Sequence, residues 1–317
     1  MGMGRIGNNQ LTQKILTQLS SQLKKQERLF EQISSNRKIT KVSDDPIAAN
    51  RIMSLTESLD RNSQYESVAA GADVWTNITN ASLDDAISTW ERVNEIAISG
   101  ADGSKNAIDR VGMAEELEQL LQHLIQIGNT TLGGKSIFAG AKTNATAFRF
   151  ETDANTGRVT GVYFQGDSHV RTVKTKDSGS VEFSISGSNA GNLDSKGSFI
   201  DTNSGINSFE TIISLRDKLL NNDISGITGN GGIIEEISTV SQSFNSSQVR
   251  LGGAQEVIDL DKSRLLNENS ELEQYLSREQ DADVAQLIME LNNVQNVYEA
   301  ALASGGRIMQ LTLLNYI

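Results

Sequence analysis

The sequence predicts an α+β protein, an elongated bundle of long helices with coiled-coil N- and C-terminal segments and an inserted small β domain. Three observations carry that expectation. A single proline occurs in 317 residues, and an interior proline is what most often breaks a helix, because it removes a backbone hydrogen bond and clashes with the preceding turn. Apolar residues recur at helical spacing over long stretches on both sides of the middle of the chain. Around Val181, Phe183 and Ile185 the period shortens to two, as in a half-buried strand.

The first helix is expected over about 8–34. Leu16, Leu19, Leu23, Phe30 and Ile33 follow steps of three and four with Gln26 in the missing place, a narrow seam suited to a partner helix. A break follows, and then Val42-Ser43-Asp44-Asp45-Pro46. Asp44 or Asp45 caps a new helix there, and Pro46 fits its first turn. That second helix runs to about residue 99 through Ile52, Leu55, Leu59, Val68, Trp75, Leu83 and Trp90. Gly100 to Ser104 interrupts it, and Ala107 to Ile127 resumes. Strands are expected at Val159–Gln165, Val170–Thr175 and around Val181–Ile185, with turn residues at Asn155-Thr156-Gly157 and Gln165-Gly166-Asp167. Helices return over 208–221 and from Gly232. The last helix carries Val284, Leu287, Leu291, Val294, Tyr298, Ala301 and Ile308 in heptad order, with Leu311 and Leu314 beyond.

These elements divide into an assembly segment 1–42, mobile in the free monomer, and a helical rod in two halves, 43–136 and 208–283. A β domain over 137–207 lies between the halves, and an assembly helix spans 284–317. The expected assembly interface consists of Leu16, Leu19, Leu23, Phe30 and Ile33 at one end. At the other it consists of Val284, Leu287, Leu291, Val294, Tyr298, Ile308, Leu311 and Leu314.

Composition narrows the chemistry. Aromatics make up 5% of the residues, lean for an enzyme with one large core. The net charge of −12 repels phosphate backbones, so a nucleic-acid partner is not expected. The absence of cysteine excludes disulfides and thiolate ligands. No window approaches the roughly 18 apolar residues that span a bilayer, and the first twenty residues lack an apolar signal-peptide core. No membrane partner is expected, and if the chain leaves the cell it does so without a cleaved apolar signal.

No catalytic, cofactor-binding or metal-binding residues are expected. Gly128-Asn129-Thr130-Thr131-Leu132-Gly133-Gly134-Lys135-Ser136 approaches a phosphate-binding loop, but its first glycine is one position off. A helix also precedes it and a strand follows, the reverse of what phosphate binding needs. His123 sits in a helical apolar run and His169 at a strand entrance, neither with metal-ligand companions. Asp281 and Asp283, two apart, diverge on a helix and suit the start of the last one.

Ser43-Asp44-Asp45-Pro46-Ile47-Ala48-Ala49 resembles the second-helix start of the flagellin superfamily, and Gly134-Lys135-Ser136-Ile137-Phe138-Ala139-Gly140 resembles its entry into the β domain. Tyr163-Phe164-Gln165-Gly166-Asp167, and the stretch from Asp281 to the ending Leu314-Asn315-Tyr316-Ile317, are similar to hook-associated members of that superfamily. The order and spacing of these motifs, more than any one of them, is specific. The resemblance implies a non-enzymatic structural subunit, exported through the growing flagellum and assembled outside the cell between hook and filament. It implies as partners hook-associated protein 1, flagellin, copies of itself in a ring and, before secretion, a cytoplasmic export chaperone on the C-terminal helix. The nearest rival is flagellin forming the filament body. A nucleotide-binding enzyme using Lys135 and Ser136, and a coiled-coil adhesin or signalling rod, fit less well.

Joining the two ends closes a loop of roughly 250 residues, at about 5 kcal/mol plus a constant, against about 1.5–3 kcal/mol for each buried Leu or Ile. With Gln26, Ala301 and Gly305 thinning the seams, one copy alone is expected to be marginal at its ends.

Overall fold

A computed structural model describes the backbone of residues 3–176, 179–229 and 232–314; in the terminal helices it describes the side chains of residue 10 and of 13–307. Three helices come first, α1 (Met3–Ser35), α2 (Pro46–Ala101) and α3 (Ala107–Gly128). Nine short strands follow: β1 (Thr131–Leu132), β2 (Lys135–Ser136), β3 (Phe148–Thr152), β4 (Val159–Phe164), β5 (Thr172–Val173), β6 (Val181–Glu182), β7 (Ser186–Ser188), β8 (Gly197–Asp201) and β9 (Ile206–Asn207). Then come α4 (Ser208–Leu220), the short α5 (Ser225–Thr228), α6 (Ile233–Gln280) and α7 (Val284–Leu314). Two compact units result, one of residues 1–62 with 267–317, the other of 63–266. Their limits fall inside α2 and α6, whereas the boundaries expected at 42/43 and 283/284 coincide with the helix breaks beside α1 and α7.

In the unit 63–266, α2 buries Ala69, Ala72, Thr76, Thr79, Leu83, Ala86, Trp90, Val93 and Ala97. These follow alternating steps of three and four, so one seam faces inward along this part of the helix. Capping fixes where the neighbouring helices begin. Asn106 accepts from the Asp109 N–H at 2.8 Å while Asp109 accepts from the Asn106 N–H at 3.3 Å, a reciprocal capping box that starts α3. Asn207 caps α4 through the Glu210 N–H at 3.2 Å. At the far end of α2, the buried Arg110 donates to the carbonyls of Gly100 at 3.1 Å and Asp102 at 2.9 Å, and to Asn222 Oδ1 at 2.6 Å. A cation at a helix C-terminus satisfies orphan carbonyls and opposes the dipole.

Aromatic side chains weld the β segment to these helices. Phe148 lies 4.9 Å from Phe209, Phe138 5.1 Å from Phe199, and Phe199 5.3 Å from Phe244, between ring centroids. Trp90 packs edge-on against Phe244 at 5.8 Å and donates its indole N–H to the Ile237 carbonyl at 3.0 Å. Arg171 covers Trp75 at 4.4 Å. The strands form four small sheets: the hairpins β1–β2, β3–β4 and β5–β6, and a three-stranded sheet in the order β7–β8–β9. Around Val181 the burial differs from the expected alternation, because Ser184 is buried along with Phe183 and Ile185. Its hydroxyl accepts the Arg171 N–H at 2.8 Å, so a polar residue is satisfied inside.

One buried ion pair ties β4 to two helices. Arg216 on α4 donates to Glu118 on α3 at 2.6 Å, and both are almost fully covered. The same two side chains hold Val159, the first residue of β4. Its N–H donates to Glu118 Oε1 at 2.9 Å and its carbonyl accepts from Arg216 at 2.8 Å.

Candidate assembly interface

The second unit brings the two ends of the chain together as an antiparallel helix pair, α1 against α7. A main-chain clasp sets its register. Asn36 ends α1 in the left-handed region, at φ 53°, a conformation Asn tolerates at a helix C-terminus. The chain then runs antiparallel to the junction between α6 and α7. The Lys38 N–H donates to the Gln280 carbonyl at 2.7 Å, and the Ala282 N–H donates to the Asn36 carbonyl at 3.2 Å. Lys38 Nζ adds a bond to the Arg278 carbonyl at 2.7 Å.

The acidic pair before Pro46 divides its work. Asp45 caps α2, accepting from the N–H groups of Ile47 and Ala48 at 3.0 Å. Asp44 instead closes the preceding turn by accepting the Lys41 N–H at 3.1 Å. Burial pushes its carboxyl up, but the Lys41 N–H, the Arg28 charge and the Thr40 hydroxyl prevail and hold it below the ordinary carboxylate range. Asp283 caps α7 through the Gln286 N–H at 3.1 Å, while Asp281 accepts from the Ser277 hydroxyl.

Along the pair, α1 turns Ile15, Leu19, Gln22, Gln26, Leu29 and Ile33 inward, and α7 turns Val284, Leu287, Leu291, Val294, Tyr298, Ala301 and Gly305 inward. Both sets step by three and four. The seam is thin: of these, Leu29, Val294 and Gly305 alone are fully buried among the described side chains. Opposite charge supports it. Residues 1–41 hold eight Lys and Arg against two acids, and 267–317 hold two against eight. Lys25 meets Glu290 at 2.7 Å, both half exposed, so that pair contributes no more than about 1 kcal/mol.

Gly305 admits close approach, since a Cβ there lies 3.2 Å from Ile15 Cγ2. Gly305→Val is accordingly expected to weaken the pair by about 1–3 kcal/mol through overpacking. Hydrogen exchange in α1 measures this; exchange as slow as in the parent chain counts against the close contact.

The expected interface residues divide between two faces. Leu19 and Ile33 on α1, and Val284, Leu287, Leu291, Val294 and Tyr298 on α7, lie in the intramolecular seam. Leu16, Leu23 and Phe30 do not. They form a separate stripe, one residue per heptad, exposed by 61%, 47% and 67%. The seam expected through them runs instead through Ile15, Gln22 and Leu29, while Gln26 keeps the inward place expected of it. On α7, Ile288, Val297 and Leu302 are likewise exposed. The side chains of Ile308, Leu311 and Leu314 lie outside the described residues.

The other candidate positions have local roles. Gly133 and Gly134, at φ 57° and 77°, make the turn of the β1–β2 hairpin that contains Lys135 and Ser136. His123 lies half exposed, 3.5 Å from Asp85, and His169 is exposed. Among the described residues no group of three His, Asp or Glu converges as a metal site, and no helix is long and apolar enough to cross a membrane.

Comparison with known proteins adds four findings. The family model "bacterial flagellin N-terminal helical region" matches residues 6–143. Flagellar hook-associated protein 3 of Salmonella typhimurium is 31% identical over 164 residues, so the aligned part spans only about half of each chain, 51% of this one and 51% of that protein. The protein of the same name from Escherichia coli is 24% identical over 85% of this chain and 87% of its own. Among solved structures, FlgL of Xanthomonas campestris superposes with a TM-score of 0.59 at 15% identity, covering 70% of this chain and 99% of that one, a likeness of fold.

Proposed function

From a chain that carries the bacterial flagellin N-terminal helical region and is similar to hook-associated protein 3, we propose a structural subunit that joins hook to filament in the bacterial flagellum. The observation that carries this reading is the stripe Leu16, Leu23 and Phe30. It is apolar, periodic and exposed, on a helix whose other face is already paired. Apolar side chains left outward at heptad spacing suit a further helix laid alongside. In this reading that helix comes from neighbouring subunits: copies of the same chain around a ring, hook-associated protein 1 on one side and flagellin on the other. An export chaperone covers α7 in the cytoplasm, and the segments 1–42 and 284–317 become fully ordered on assembly outside the cell. The subunit works by packing and carries out no reaction.

Replacing Leu16, Leu23 and Phe30 together by Gln tests the stripe. The three positions are exposed, so monomer stability is expected to change by under about 0.5 kcal/mol per site, while cells bearing the variant lose their filaments. Filaments of normal number and length on such cells would remove the stripe from the interface. Flagellin of the filament body is the second reading, favoured by the N-terminal match itself. Labelled antibody separates the two, marking one band at the end of the hook or the whole filament.

A further inference from the structure

The middle of α6 holds two glycines that its packing does not require. Gly252 and Gly253 are exposed within a helix of 48 residues. A Cβ on either meets no atom within 4 Å, and neither has a positive φ. Each makes the helix about fivefold less favourable than alanine does, with no local compensation. The inward face is thin at the same level: between the buried Leu251 and Ile258 lies Ala254, and Ser247 and Asp261 occupy the next layers on either side.

A second, independent weakness lies across from it on α2. Gln255 donates to Asn77 Oδ1 at 2.7 Å and accepts from Asn80 Nδ2 at 2.8 Å, which fixes the turns that face each other. In those turns Thr76 and Thr79, both fully buried, direct their hydroxyls back to the carbonyls of Ala72 and Trp75 at 2.8 Å. Such back-bonding competes with the helix ladder and bends it. Asn80 Oδ1 is buried and has no hydrogen-bond partner, so this layer is also incompletely satisfied. Firm anchors flank it. Trp90 and Phe244 pack at 5.8 Å on one side, and Lys262 meets Asp73 at 2.8 Å on the other.

We infer that Thr76–Asn80 of α2 and Gly252–Gln255 of α6 form a compliant joint, at which the two helices bend together while the core on either side stays packed. The joint rests on backbone energetics within residues 63–266 and is independent of the flagellar reading.

Hydrogen exchange on the purified full-length chain tests it. Amides of 249–256 and 76–82 are expected to exchange at least about tenfold faster than those of 238–245 and 86–93, in keeping with a locally opening unit. The variant G252A/G253A keeps the fold and is expected to slow exchange in 249–256 by about twentyfold, from the two helix propensities combined. It is also expected to slow residues 76–82 on α2, which the substitution does not touch. Uniform protection across α6 in the parent chain overturns the proposal. So does a variant that slows its own turn and leaves α2 unchanged, since the two weak turns then do not act as one.

Discussion

Glu118→Ala is expected to destabilise the unit 63–266 by about 3–5 kcal/mol, the usual result of removing one partner from a buried ion pair. Glu118 and Arg216 are covered almost completely and meet at 2.6 Å, so the remaining guanidinium keeps its charge with little water to receive it. Asp217, 2.8 Å from Arg216, is half exposed and compensates only in part. A further loss comes from the backbone: Val159 relies on this pair for both its N–H and its carbonyl, and each buried group left unmade costs about 1–3 kcal/mol. For that reason E118M/R216M is not expected to recover the parent stability, although apolar replacement of a buried pair is often neutral elsewhere. Urea denaturation of both variants measures this. A loss below about 1 kcal/mol for Glu118→Ala means that water or Asp217 satisfies the arginine.

Replacing Leu287, Leu291 and Val294 together by Asp is expected to separate α7 from α1 altogether. All three lie in the seam, and Val294 is among the few residues fully buried there. Each loses about 1.5–3 kcal/mol of apolar burial and puts a carboxylate in its place, in a region already rich in acids. A pair this thin has no reserve of that size. The core of 63–266 shares none of these residues, so its cooperative melting is expected to persist while the helical circular dichroism of α1 and α7 falls, and filaments are lost in cells. Retained helicity with normal filaments would mean that the two ends are held by something other than this seam.

The long helices were legible because a period of 3.6 repeated over many turns leaves little alternative. On α7 Val284, Leu287, Leu291, Val294 and Tyr298 are both apolar and in heptad order, and it is these side chains that turn toward α1. On α1 the same reasoning selected Leu16, Leu23 and Phe30, and here composition misleads. The rule that apolar residues lie inside runs one way only, and in this helix two glutamines take inward positions while a phenylalanine remains outside. An apolar residue that faces outward looks, in the sequence of one chain, like one that faces inward. The start of α2 was legible down to the acid pair, though which aspartate capped was left open; Asp45 does so because Asp44 is engaged by the turn before it. The β segment was read least well. Strands of two or three residues such as β5, β6 and β7 are too short to show a period, and contacts beside them such as Phe183 against Trp75 of α2 leave no local pattern.

The clasp between 36–38 and 280–282 relies chiefly on peptide N–H and carbonyl groups, which every residue but proline supplies in full. The register of the two terminal helices is thereby set largely by the main chain. Residues on their outward faces, which the clasp does not use, can change one by one without sliding one helix past the other.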